Sequence, residues 1–358
     1  MAITAAMVKE LREMTGAGMM DCKKALSETD GNMEAAVEVL RKSGAAKMEK
    51  KAARIAAEGI CRVAAEDGKA VVVEVNSETD FVAKNEVFQE FVQDVANKAL
   101  ASGAQGGMNG EDVQALMDGG LTEVIAEKTL KIGEKLSFRR FVRVEGDCVS
   151  SYIHGGGKIG VLVAGMGASG DAVKEALTNI AMQVAAMNPT YIAREDISAD
   201  ELAKLKEITI DAAINDPASL PKPILNSLIQ EAVSTNAWSA EDVTAYEENK
   251  NNKYLFNFLS KEAVATLASI GMSKKAEIVE NKIFSGLVEG RISKQLKEIT
   301  LLEQAYVKAE DGKQTVKAYL ATVDKALTIG KFVRFEVGEG IEKKKEDFAA
   351  EVAAQRKA

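Results

Sequence analysis

Twice along this chain a short valine-rich run is followed by a polar turn and an amphipathic helix, and this weak repeat limits the fold more than any other feature. The first unit is the run 70–75, a turn that opens at Ser77, and a helix reaching about Leu100. That helix carries Phe88, Phe91, Val92, Val95 and Ala99, the i, i+3, i+4, i+7 spacing of one buried face. The second unit is the run 159–164, a glycine-rich turn, and the helix 172–187. Each unit has a matching sequel: residues 130–135 lead into a strand at 138–146, and residues 327–331 lead into one at 332–340. The repeat predicts an α+β fold with two related antiparallel halves, each a small sheet backed by helices.

Ahead of the repeat, residues 1–54 read as a three-helix module. Thr4 caps the first helix, which buries Val8 and Leu11, and the turn 15–18 ends it. The second helix runs 19–26. The third repeats its apolar positions at Met33, Ala36, Val37 and Leu40 and is expected to stop at Ser43-Gly44. Lys47, Lys50, Lys51 and Arg54 then form a basic stretch, read as a solvated linker helix. The first core half is placed at 55–146 and the start of the second at 147–198. Its closing part, 295–338, is delayed by a charged helical insertion at 199–294, broken at Pro217, Pro221 and Pro223. The insertion reads as a helical hairpin or coiled-coil arm with a small extra lobe, enlarged around 216–273, although its pattern is not a clean heptad. Residues 339–358 predict a C-terminal helix with Ile341, Lys345, Phe348 and Val352 on one stripe.

Forty-six basic against fifty-four acidic residues give a net charge of −8, which argues against direct nucleic-acid binding. No stretch is apolar enough to span a bilayer and residues 1–4 lack the features of a signal peptide, so no membrane contact and a cytoplasmic location are expected. Three cysteines and one histidine cannot supply a zinc site of the usual spacing and suggest free thiols in a reducing compartment. A Cys148–His154 nucleophile pair would need an orienting third group and an oxyanion site, and nothing in the sequence marks either. Residues 165–170 spell G-x-G-x-x-G after a strand and before a helix. A dinucleotide fold requires a second parallel strand after that helix, whereas Asn188-Pro189-Thr190-Tyr191-Ile192 leads into more helix.

The turn Ser77-Glu78-Thr79-Asp80-Phe81-Val82-Ala83-Lys84 is unusual in chemistry. Phe81 stands off the buried helix face, with a carboxylate beside it, and is a candidate wedge for another protein. The segment Asn76-Ser77-Glu78-Thr79-Asp80-Phe81-Val82 and the stretch Leu11-Arg12-Glu13-Met14-Thr15-Gly16-Ala17-Gly18-Met19-Met20-Asp21-Cys22-Lys23-Lys24-Ala25-Leu26 resemble the signatures of the bacterial elongation factor Ts family. Supporting matches are Ser151-Tyr152-Ile153-His154-Gly155 and Arg334-Phe335-Glu336-Val337-Gly338-Glu339-Gly340.

The resemblance implies a guanine-nucleotide exchange factor without covalent chemistry or a cofactor of its own. Its partner would be elongation factor Tu, in GDP-bound and nucleotide-free states. It implies that the N-terminal module is similar to a ubiquitin-associated domain and docks through Arg12, Met19, Met20 and Lys23. Adjacent helical residues point about 100° apart, so Met19 and Met20 cannot both face one core. Thr79, Asp80, Phe81 and Val82 match the segment that disturbs the partner's Mg²⁺ site. His154 matches a contact to the partner's third domain, and Phe348 and Val352 a second hold on its G domain, with packing on the chain's own core as the alternative. Homodimerisation through the arm stays open. The competing classes are a dinucleotide enzyme built on Gly165 to Gly170 and a ubiquitin-like or scaffold adaptor.

Overall fold

A computed structural model describes residues 3–342. The chain divides into two compact units, one formed by Met1–Asn188 with Tyr306–Ala358 and the other by Pro189–Ala305.

The first unit opens with helices α1 (Ala5–Thr15), α2 (Met19–Glu28) and α3 (Met33–Lys51) around Leu11, Cys22, Leu26, Ala36 and Leu40. The Thr4 hydroxyl accepts the Met7 N–H at 3.3 Å, satisfying one of the free donors at the start of α1. Helix α3 does not stop at Ser43-Gly44 but runs on to Lys51. Gly44 is there for close approach: a Cβ would lie 2.9 Å from the Ala126 carbonyl oxygen of a neighbouring helix, α7 below.

Strands β1 (Glu58–Glu66) and β2 (Lys69–Ser77) form a hairpin through Asp67-Gly68, with Gly68 at φ 71°. Aspartate followed by glycine suits a two-residue hairpin loop that needs positive φ. The chain continues through the single helical turn α4 (Asp80–Ala83), helix α5 (Glu86–Ser102), the short strand β3 (Gly106–Gly107) and helix α6 (Val113–Leu116). Helix α7 (Thr122–Ile132) and strand β4 (Ser137–Glu145) complete an antiparallel sheet of order β1-β2-β4-β3. Strands β5 (Cys148–His154), β6 (Ile159–Met166) and β7 (Thr328–Glu336) form a second antiparallel sheet, with helix α8 (Asp171–Met187) following β6.

The valine run of β2 is explained by burial on both faces, which removes the usual polar alternation. Val71, Val73 and Val75 pack with Phe88, Phe91, Val92 and Val95 of α5. Ala70 and Val72 join Cys61, Val142 and Val144 against Leu162, Ala164, Val333 and Phe335 of the second sheet. The sheets come so close at Gly160 that a Cβ there would sit 2.8 Å from the Cys61 Cβ.

The repeat extends into the irregularities. Strand β4 bulges at Arg139, opposite Glu74 and Val75 of β2, and strand β7 bulges at Gly330, opposite Ala164 and Gly165 of β6. Val73 faces Phe141 and Val163 faces Phe332, so Phe141-Val142-Arg143 is the counterpart of Phe332-Val333-Arg334. The expected 332–340 strand therefore lies several residues early, at Thr328–Glu336. Residues 337–340 are instead a turn, with Gly338 and Gly340 at φ 75° and 74°.

The second unit is helical: α9 (Ala199–Ile214), α10 (Lys222–Ser234), α11 (Ala240–Asn249), α12 (Lys261–Ser273), α13 (Lys275–Glu280) and α14 (Lys282–Ile299). Ser198 and Glu201 form a reciprocal capping box that starts α9. Ile210, Ile214, Leu228, Trp238, Leu267 and Phe284 share one core. Back in the first unit, a last helix, α15 (Val316–Val323), precedes β7.

Candidate functional site

At the end of β2 the chain leaves the buried sheet and makes α4 in one turn. Thr79 caps it, its hydroxyl accepting the Val82 N–H at 3.4 Å. Ala83 is buried and Val82 packs against the same core, which turns the opposite side of the helix outward. Phe81 is consequently 81 % exposed. Folding back onto its own helix is therefore not what this ring does. Asp80 beside it is ion-paired with Lys84 at 2.7 Å. That hydrogen bond, helped by the charge of Lys158, holds the Asp80 carboxyl below the usual carboxylate range.

The backbone under this turn is fixed by a loop distant in sequence. Glu134, just after α7, accepts the Glu78 and Thr79 N–H groups at 3.1 and 3.0 Å and the Thr79 hydroxyl at 2.7 Å. Glu78 in return accepts the Lys135 N–H at 2.6 Å and pairs with Arg54 at 3.3 Å. No motif or periodicity marks Glu134 or Lys135 as partners of this turn, because their approach depends on α7 and β4 being packed.

The loop after β5 occupies the same end of the sheets. Glu58, at the start of β1, faces Ser77 across the hairpin and is ion-paired with Lys158. A Cβ at Gly157 would lie 2.8 Å from the Ile60 Cβ, so this glycine lets the loop lie against β1. His154 ends β5, exposed, with Nδ1 2.9 Å from the Tyr152 hydroxyl. In the three-helix module Arg12, Met19, Met20 and Lys23 are all exposed. Both methionines face outward, at 59 % and 75 %, while Cys22, Ala25 and Leu26 supply the core side of α2. Phe348 and Val352 lie outside the described residues.

Two enzymatic readings lose their geometry. Cys148 and His154 stand at opposite ends of β5, which at about 3.3 Å per residue leaves them roughly 20 Å apart. The 165–170 glycines join a strand to α8, but that strand is antiparallel to both neighbours, so no parallel switch point exists there. Gly167 serves a backbone contact, since a Cβ would fall 2.2 Å from the Ala326 carbonyl oxygen. Among the described residues no group of three or more His, Cys, Asp or Glu side chains could hold a metal ion, and no helix is long and apolar enough to cross a membrane.

Residues 78–339 match the family model described as elongation factor TS, a span that begins at the Phe81 turn and ends beyond β7. The chain is also 44 % identical over 369 aligned residues to an elongation factor Ts from Clostridioides difficile (strain 630), covering 99 % of each chain. The mixed antiparallel fold and these matches define a translation elongation factor. The chain belongs to the elongation factor Ts family.

Proposed function

We propose that the chain is the guanine-nucleotide exchange factor for elongation factor Tu, and that its Phe81 turn opens the partner's Mg²⁺ site. Mg²⁺ requires near-ideal octahedral geometry with ligands at about 2.0–2.1 Å, so small shifts around it weaken its binding. An exposed ring on a pinned turn can cause such a shift without touching the ion, and Asp80 completes the contact, with Thr79 as the cap of the turn and Val82 as its anchor on the core. The three-helix module, in this reading a ubiquitin-associated-like domain, docks on the G domain through Arg12, Met19, Met20 and Lys23. Methionine pairs adapt well to a partner's groove. His154 lies on the face that meets the partner's third domain, and Phe348 and Val352 supply a second hold. The α9 and α14 pair forms the coiled-coil arm. Linkage makes the effect reciprocal: a factor that weakens GDP binding is weakened by GDP to the same degree, and GTP rebinding releases it.

The exposure of Phe81 is the observation that carries this reading. Elongation factor Tu loaded with a fluorescent GDP provides the test. Phe81→Ala should slow stimulated release while leaving the melting temperature unchanged, because the ring adds nothing to its own core. Release at the unaltered rate by the folded variant would overturn the wedge.

A further inference from the structure

We infer that Glu134 is a positioning residue for nucleotide exchange: its carboxylate sets the angle at which Phe81 is presented and ties that angle to the N-terminal module. The inference rests on the wedge reading above. Glu134 touches neither Phe81 nor Asp80 through any hydrogen bond; its bonds go to the backbone immediately before them. One oxygen takes two successive N–H groups, of Glu78 and Thr79, and the other takes the Thr79 hydroxyl. That hydroxyl thereby donates to Glu134 while accepting from Val82, so the cap of α4 is oriented by a residue outside it.

The clasp is reciprocal. The Glu78 carboxylate accepts the Lys135 N–H, so each of two segments far apart in sequence holds the backbone of the other. Gly133, at φ 86°, turns the chain out of α7 and starts the loop that carries Glu134.

A third segment is stitched to the same loop. Lys135 Nζ donates to the carbonyls of Ala52 and Arg54 at 2.6 and 2.8 Å, and Lys51 Nζ donates to the Gly133 carbonyl. Arg54 returns to Glu78. Residues 51–54 are the exit from α3, so the module that carries Met19 and Met20 and the turn that carries Phe81 are joined through residues 133–135. Charge-assisted bonds of this kind are the stronger class, and bonds to backbone groups fix direction as well as distance. A misplacement of about 1 Å in a positioned group can cost up to 10²-fold in rate.

The test is stimulated GDP release by Glu134→Ala, Glu134→Gln, Phe81→Ala and the Glu134→Ala/Phe81→Ala double variant, below the melting temperature of each. Glu134→Ala should lower the maximal exchange rate about tenfold with a smaller change in half-saturation. Glu134→Gln, which keeps an acceptor oxygen, should restore part of the rate. The double variant should be no slower than Phe81→Ala alone, because a positioning residue has nothing left to position. An unaltered rate for Glu134→Ala beside a slow Phe81→Ala overturns the clasp and leaves the wedge standing. A double variant slowed by the full product of both factors also overturns it, since Glu134 would then act apart from Phe81. Normal exchange by Phe81→Ala overturns the wedge, and the clasp with it.

Discussion

Arg143 and Arg334 occupy the same station in the two sheets. Arg143 Nη1 donates to the Leu100 carbonyl at 2.9 Å, and Arg334 Nε donates to the Ala185 carbonyl at 3.4 Å. Leu100 and Ala185 are each the third residue from the end of their helix, α5 and α8. Each arginine is also paired with the glutamate two residues on, Glu145 at 2.7 Å and Glu336 at 2.9 Å. The last carbonyls of a helix have no partner within it. Strands β4 and β7 supply one through these arginines, and so fix each helix along its sheet.

The two bonds differ in length, which yields a prediction. Arg143→Met should destabilise the first unit by about 2 kcal/mol, the scale of a hydrogen bond from a charged group, since the Leu100 carbonyl then keeps only the 3.4 Å bond from the Gly103 N–H. Arg334→Met, which removes a longer bond, should cost about half as much by the same reasoning. Urea unfolding followed by far-UV circular dichroism measures both, and equal costs would show that the bond length decides nothing.

Glu74 should matter more than either arginine. Its fully buried carboxylate accepts Arg140 Nε at 2.6 Å, Arg139 Nη1 at 2.9 Å and the Gly338 N–H at 2.9 Å. Arg140 also stacks 4.3 Å from the centroid of the Phe335 ring, which brings the closing turn of the second sheet onto the first. Glu74→Gln leaves the buried Arg140 guanidinium with only the half-exposed Glu339, 3.2 Å away, as counter-charge, a loss of about 3 kcal/mol. The unfolding midpoint in urea should fall accordingly. A change below that of Arg143→Met would mean the network is solvated and weak.

The valine runs of β2 and β6 were legible because they have no other use in a globular core, β4 was legible at 138–146, and β7 was expected four residues late. The edge strand β1 was not anticipated: its alternation of Cys61, Arg62, Val63 and Ala64 is weak, and only Asp67-Gly68 signalled the hairpin. The stop expected at Gly44 failed because a glycine in a helix can serve close packing as well as an ending. Phe81 was legible as a ring with no place on the helix face that follows it. Its support by Glu134 was not, since that contact exists only once two segments far apart in sequence have been folded together.

The thiols should separate by environment. Burial, with the neighbouring Glu74 charge, pushes the Cys61 thiol far up, and burial pushes up Cys22 as well. Cys148 is only partly buried, and Lys174 opposes the upward shift there. Thiolate is the reactive form, so Cys148 should label first with a disulfide reagent at pH 8, and Cys61 only when the first unit opens. Mass spectrometry of the labelled peptides checks the order. Rapid labelling of Cys61 in the native protein would mean that the two sheets separate far more readily than their packing implies.

Trp238 is the one tryptophan of the chain. It is buried, with Nε1 donating to the Ala263 carbonyl at 3.0 Å, so its emission reports the second unit's packing rather than an exposed dimer surface. Four residues on, Asp242 accepts the Ser260 N–H at 2.9 Å and the hydroxyls of Ser239 at 2.7 Å and Ser260 at 3.0 Å. These bonds, the Ser260 N–H first, hold its carboxyl below the ordinary range. A carboxylate whose pKa is lower folded than unfolded favours the folded state fully above the unfolded value, about 3.9. That contribution declines as pH falls below the unfolded value and is gone once pH has passed through the folded one. The Trp238 transition should therefore lose stability on acidification in that range, and Asp242→Asn should make its pH dependence shallower while lowering stability at pH 7. Urea titrations of Trp238 emission between pH 7 and pH 3 measure it. Identical slopes for the two proteins would remove Asp242 from the acid response of the second unit.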